Sequence, residues 1–210
     1  MKKIFIILCI IFPTIWITAQ SIDYRDVAVI INENSEASIT IGEYFQEKRD
    51  IPEQNIIRID CSTDDNIDSV GFFSIVNQIS NYLINNNLSD SINYLVTTKG
   101  VPLTYFGEDC DSLHLYRCSA VDSKLTMIIN HADMLENGFS IQSPYYNMNQ
   151  HFTEEEFDMY LVTRLDAYTV DDVLNLIDRS GPLTKVNKAY ANLIFDLAYV
   201  YDTNVARLFS

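Results

Sequence analysis

Four short apolar runs separated by amphipathic segments constrain this chain more than any other feature. They are "DVAVIIN" (26–32), "NIIRID" (55–60), "INYLVTT" (92–98) and "MYLVTRLD" (159–166). Each is rich in strand-favouring residues and ends in a polar side chain. Near-continuous apolar runs of this length suit strands buried on both faces. The segments between them have helical spacing. After the first run, Asn34 and Ser35 are placed to cap a helix carrying Ala37, Ile41, Tyr44 and Phe45 on one side. That helix must end before Pro52, because the residue preceding a proline is pushed out of the helical region. After the second run, Ser69 starts a helix with Phe72, Ile75, Val76, Ile79, Tyr82 and Leu83 along one face, and "NNN" (85–87) breaks it. After the fourth, Thr169 and Asp172 have capping-box spacing ahead of Val170, Val173, Leu174 and Ile177. "SGP" (180–182) stops that helix, and a last one is predicted from roughly Val186 to Tyr201.

Strands that alternate with helices imply right-handed crossovers and a sheet covered on both sides. The expectation is a three-layer α/β domain with a mostly parallel sheet, of flavodoxin-like or caspase-like topology. A long insertion, about 104–158, separates strands three and four and exceeds an ordinary connection. Within it, "SAVDSKLTMIINHADML" reads as an amphipathic helix, with Val121, Leu125, Ile129 and Ala132 on one side.

The first twenty residues, "MKKIFIILCIIFPTIWITAQ", combine a basic start, a short apolar core and small residues before a polar stretch. This is the pattern of a cleaved signal peptide, giving a secreted or periplasmic protein. The apolar run is shorter than the ~20 residues of a spanning helix and is interrupted by Pro13, so no stable membrane span is expected after cleavage. Residues 21–210 then form a single domain. Cleavage removes Lys2 and Lys3 and no acid, which moves the formal charge from −15 to −17. So acidic a surface repels phosphate backbones and argues against a nucleic-acid partner. Cys61, Cys110 and Cys118 remain, an odd number; Cys110 and Cys118 are close enough in sequence to form a disulfide, leaving Cys61 free.

A parallel sheet collects its carboxyl ends along one border, where ligands of such folds bind. The residues delivered there are Asn32 and Asn34, Asp60 and Cys61, Thr98 and Lys99, and Arg164 and Asp166. Gly100 allows a tight turn or a close approach. Two cations beside carboxylates at one border mark a polar pocket. Solvent-facing strand ends are polar in any protein, so ion pairing alone is the competing explanation.

The segments "DVAVIINENSEASITIGEYFQEKRDIPEQNIIRID", "YLVTTKGVPL", "SAVDSKL", "SPYYN" and "YLVTRLD" resemble a family of exported bacterial α/β proteins of unknown function. The resemblance covers roughly residues 26 to 180. It implies that the polar motif residues here are Lys99, Asp122, Ser123, Arg164 and Asp166. The chain departs from the pattern at Lys124, where the family has an acid, and at Ser143, where it has an asparagine. Family members run further, so the resemblance also implies truncation at the carboxyl terminus.

Specific chemistries can be weighed from spacing. A caspase-like cysteine peptidase needs a histidine after the third strand and a cysteine after the fourth; Lys99-Gly100 and Arg164-Leu165-Asp166 stand there instead. Cys110, His114 and Cys118 would share a helical face as zinc ligands, although Gly107, Asp109 and Asp111 favour a loop. "DDNIDSVGFFSI" has oxygens at the first calcium-loop positions but Ser69 and Ile75 where glycine and glutamate are required. No phosphate loop, dinucleotide fingerprint or nucleophile elbow is present, and the sequence assigns no cofactor. The expected function is an extracytoplasmic binding module for a small molecule or peptide. Lys99 and Arg164 would hold an anionic or carbonyl group, Asp166 would orient the arginine, and Asp122 would reach in from the insertion. A hydrolase with a carboxylate base in the same pocket, and a surface module for a protein partner, are the alternatives.

Overall fold

The computed structural model describes residues 23–106, 119–129 and 143–180. The leader, Cys110, His114, Cys118, His131 and the helix expected from Val186 lie outside them.

All six residues of β1 (Val27–Asn32) are buried, as an apolar run without alternation requires. β1 sits between β2 (Ile56–Ile59) and β4 (Tyr94–Thr98), and β7 (Leu161–Leu165) completes a sheet of order β2-β1-β4-β7. Every pairing in it is parallel. Alternation along β1 divides the core in two. Val27, Val29 and Ile31 face Ile41 and Phe45 of α1 (Glu36–Arg49) and Val173 and Ile177 of α5 (Val170–Arg179). Ala28 and Ile30 face Phe72, Ile75, Ile79 and Leu83 of α2 (Ser69–Asn85), with Val121 and Leu125 of α3 (Val121–Leu125) beside them. The result is three layers in the flavodoxin-like order, in which the second strand lies on one side of the first and the third on the other.

The helix ends follow local chemistry. The side chain of Ser35 accepts a bond from Ser38 N at the start of α1. Asp50, in the left-handed conformation at φ 53°, ends it ahead of Pro52. Asp68 caps α2. Thr169 and Asp172 form the reciprocal capping box of α5.

Two features depart from the sequence reading. The acidic turn and the insertion contribute a second, three-stranded sheet: β3 (Asn66–Asp68) runs parallel to β5 (Thr104–Phe106), which pairs antiparallel with β6 (Ser119–Ala120). Strands of two or three residues have no measurable periodicity, so tertiary pairing alone creates them. The helix expected from "SAVDSKLTMIINHADML" is α3, which ends at Leu125 and passes into a turn. There Thr126 O accepts from Tyr160 N at 2.8 Å, drawing that carbonyl away from a continuing helical ladder. A short α4 (Glu154–Phe157), capped by Thr153, precedes β7. Its Phe157 stacks on Phe152 with ring centroids 5.4 Å apart and closes a small aromatic cluster with Met159.

Gly100 is required by the backbone. Its φ is +98°, and a Cβ there would lie 2.2 Å from Ser35 Oγ at the entrance to α1. Gly100→Ala is therefore expected to lower stability by about 2–3 kcal/mol, combining strain and a clash. Urea unfolding would show this as a lower midpoint with an unchanged slope. An unchanged midpoint would contradict the tight fit.

Candidate functional site at the carboxyl border of the sheet

In a doubly wound sheet the binding crevice opens where neighbouring connections leave on opposite faces, here between the carboxyl ends of β1 and β4. The protein fills that point with its own groups. Asn32 is fully buried. Its amide nitrogen donates to Gly100 O at 2.7 Å and Ser62 O at 3.2 Å, and its Oδ1 accepts from Asn34 N at 3.1 Å and Cys61 N at 3.4 Å. Its backbone N–H donates to Ser38 Oγ at 2.7 Å, and the Ser38 and Thr98 hydroxyls meet at 2.5 Å. Thr98 Oγ1 in turn donates to Ile30 O at 2.9 Å. Every polar atom of Asn32 is thus spent on the chain itself. Gly100 provides close approach as expected, but to Ser35.

The other candidates gather one strand further along. Thr97 and Lys99 follow Leu95 at two-residue steps on β4, and Arg164 and Asp166 follow Val162 on β7. The register pairs Thr97 with Arg164, and Lys99 N donates to Leu165 O at 3.0 Å. Arg164 makes four hydrogen bonds. Nε and Nη2 clamp Asp122 Oδ2 and Oδ1, each at 2.7 Å; Nη1 reaches Val101 O at 2.7 Å and Nη2 reaches Pro102 O at 3.0 Å. Thr97 Oγ1 donates to Asp122 Oδ1 at 3.0 Å. The Arg164 side chain is only 12 % exposed. Asp122, from the first turn of α3, therefore holds the arginine, in place of the Asp166 expected from sequence.

Asp166 pairs instead with Lys99. The ammonium donates to Asp166 Oδ1 and to Ala167 O, both at 2.8 Å, and Ala167 N donates to the same Oδ1 at 2.8 Å. These side chains are 33 % and 29 % exposed. Ser123 is exposed, and its hydroxyl donates to Ala120 O at the start of α3, away from the ion pairs. Thr97, fully buried, is missing from the candidates read from the sequence; its place two residues before Lys99, at the end of an apolar run, is the available signal.

The two pairs differ in energy. An exposed ion pair contributes about 0–1 kcal/mol, whereas removing one partner of a well-buried pair costs about 3–5 kcal/mol. Arg164–Asp122 belongs nearer the second class, and it ties the 101–102 loop and α3 to β7. Lys99–Asp166, about a third exposed, lies nearer the first.

A concavity of about 830 Å³ lies elsewhere, at the amino end of β2, lined by Pro52, Glu53, Gln54, Ile56, Arg58 and Tyr82. None of the candidate site residues borders it. Among the described residues, no group of three or more His, Cys, Asp or Glu side chains is placed to hold a metal ion. No helix among them is long and apolar enough to cross a membrane. The zinc ligands and disulfide considered for Cys110, His114 and Cys118 fall outside the described residues.

Cys61 is a free, buried thiol beyond β2. Burial, and secondarily the Asp60 carboxylate, push its pKa up to about 12 from an ordinary 9.0. The thiolate is the nucleophilic form, so this side chain is inert at neutral pH. A proton held more tightly in the folded than in the unfolded chain gives stability that is complete below about pH 9 and lost as pH rises toward about 12. Unfolding measured from pH 8.5 to 11 should therefore show a steeper loss in the parent than in Cys61→Ala. Parallel curves would contradict the assignment.

No family model matches this chain, and neither a curated protein nor a solved structure does.

Proposed function

We propose that this chain is an exported, extracytoplasmic binding module whose ligand site is the carboxyl border of β4 and β7. It takes a small molecule or an extended peptide. The observation that carries the reading is two ion pairs side by side at that border, one with its cation nearly enclosed and one with its cation a third exposed. Arg164–Asp122 fixes the backbone and the first turn of α3. Lys99–Asp166 leaves about a third of each side chain open to solvent. A ligand that offers equivalent hydrogen bonds replaces a contact of low net worth, while the frame around it stays intact. Export is supported by the leader-like amino terminus and by the resemblance of "TKGVPL" and "LVTRLD" to exported proteins.

A hydrolase using Asp122 as its base has less support, because both of its oxygens already accept bonds from Arg164, and one also from Thr97. The peptidase reading has no support from Cys61, whose thiol stays protonated.

Calorimetric titration of the full-length chain against amino acids, dipeptides, simple carboxylates and short oligosaccharides tests the proposal. Lys99→Met and Asp166→Asn should each weaken the bound class roughly ten-fold or more and leave the thermal midpoint nearly unchanged. Binding that survives both substitutions would overturn the site.

A further inference from the structure

We propose that the ligand class at this border is a neutral polyhydroxylated molecule, a carbohydrate, stacked on Tyr168 and bridged by Lys99 and Asp166; this rests on the binding-site reading above. Charge balance is the first argument. Lys99 and Arg164 are matched by Asp122 and Asp166, so the four side chains carry no net charge, within a chain of formal charge −15. A small anion meets the repulsion of that whole chain. A cation has to displace the Lys99 ammonium from a carboxylate 2.8 Å away. A pair of neighbouring hydroxyls does neither, because each hydroxyl both donates and accepts. One gives its proton to Asp166, the other accepts from Lys99, and no charge is left uncompensated.

Tyr168 supplies the second argument. It is 99 % exposed, the most exposed of the large apolar side chains among the described residues. A solitary exposed aromatic is ordinary, but the backbone on both sides of this one is pinned. Ala167, immediately before it, binds both members of the open pair through its N–H and C=O. Thr169, immediately after it, is held by Asp172 in the capping box, with Thr169 N donating to Asp172 Oδ2 at 3.1 Å. An aromatic ring held out in solvent, next in sequence to a residue that bonds both the donor and the acceptor, suits a sugar, whose C–H face packs on an aromatic face while its rim hydroxyls hydrogen-bond.

The test is calorimetric titration of the full-length chain with maltotetraose, cellotetraose and chitotetraose, with tetragalacturonate and a tripeptide as charged contrasts. At least one neutral oligosaccharide should bind. Tyr168→Ala should weaken it roughly ten-fold, Tyr168→Phe should change it by less than about three-fold, and Lys99→Met should weaken it as strongly as Tyr168→Ala. Binding of tetragalacturonate or the tripeptide alone, lost in Lys99→Met and unchanged in Tyr168→Ala, overturns the carbohydrate class and leaves the site standing. A neutral sugar that binds Tyr168→Ala as tightly as the parent also overturns it. No binding by any of the five probes overturns the carbohydrate class; no binding by the amino acids, dipeptides and simple carboxylates as well overturns the site.

Discussion

The buried Asn32 amide at the end of β1 closes the place where a doubly wound sheet ordinarily leaves room for a ligand. A doubly wound sheet leaves a gap between its first and third strands, because the helices that follow them depart to opposite faces. That gap exposes backbone groups that must find partners. Here Asn32 bonds to Gly100 O and Ser62 O and accepts from Asn34 N and Cys61 N, joining the exits of β1, β2 and β4. The Ser38 and Thr98 hydroxyls complete the closure from the α1 side. Gly100 belongs to the same device, since its positive φ and missing Cβ let the loop lie against Ser35. With the usual crevice filled from within, the charged strand-end side chains gather instead beside β4 and β7.

At that outer border the division of labour follows from exposure. Arg164 is nearly enclosed and anchors two carbonyls of the 101–102 loop together with Asp122 of α3. It organises the insertion against the sheet and has little left to offer a ligand. Lys99 and Asp166, two residues beyond Thr97 and Arg164, remain a third exposed. A cation–carboxylate pair therefore ties segments together in one place and stands about a third open to solvent in the next. The difference arises from how far each side chain stands from the covered part of the sheet.

The layered architecture was legible because it rests on signals that survive in one dimension. Six consecutive buried residues in β1 read as an apolar run, and Ser35, Thr169 and Asp172 read as caps because capping chemistry is local. The small sheet was not legible, since Asn66–Asp68, Thr104–Phe106 and Ser119–Ala120 are strands only through one another. Asn32, Lys99, Arg164 and Asp166 were visible as strand ends, and Asp122 and Ser123 only through the resemblance; the pairing was not visible. Which carboxylate meets Arg164 depends on α3 approaching the sheet above Thr97, a relation between segments 25 residues apart. Asn32 shows the same limit: an amide at a strand end looks alike in sequence whether it faces a ligand or the protein's own carbonyls.

The claim that one ion pair is frame and the other is contact surface is tested most directly by paired double-mutant cycles. Asp122→Asn with Arg164→Met forms one cycle and Asp166→Asn with Lys99→Met the other, each measured by urea unfolding. The account predicts a coupling of about 2 kcal/mol or more for Arg164–Asp122. It predicts less than about 0.5 kcal/mol for Lys99–Asp166. Equal couplings, or a larger one for Lys99–Asp166, would contradict it.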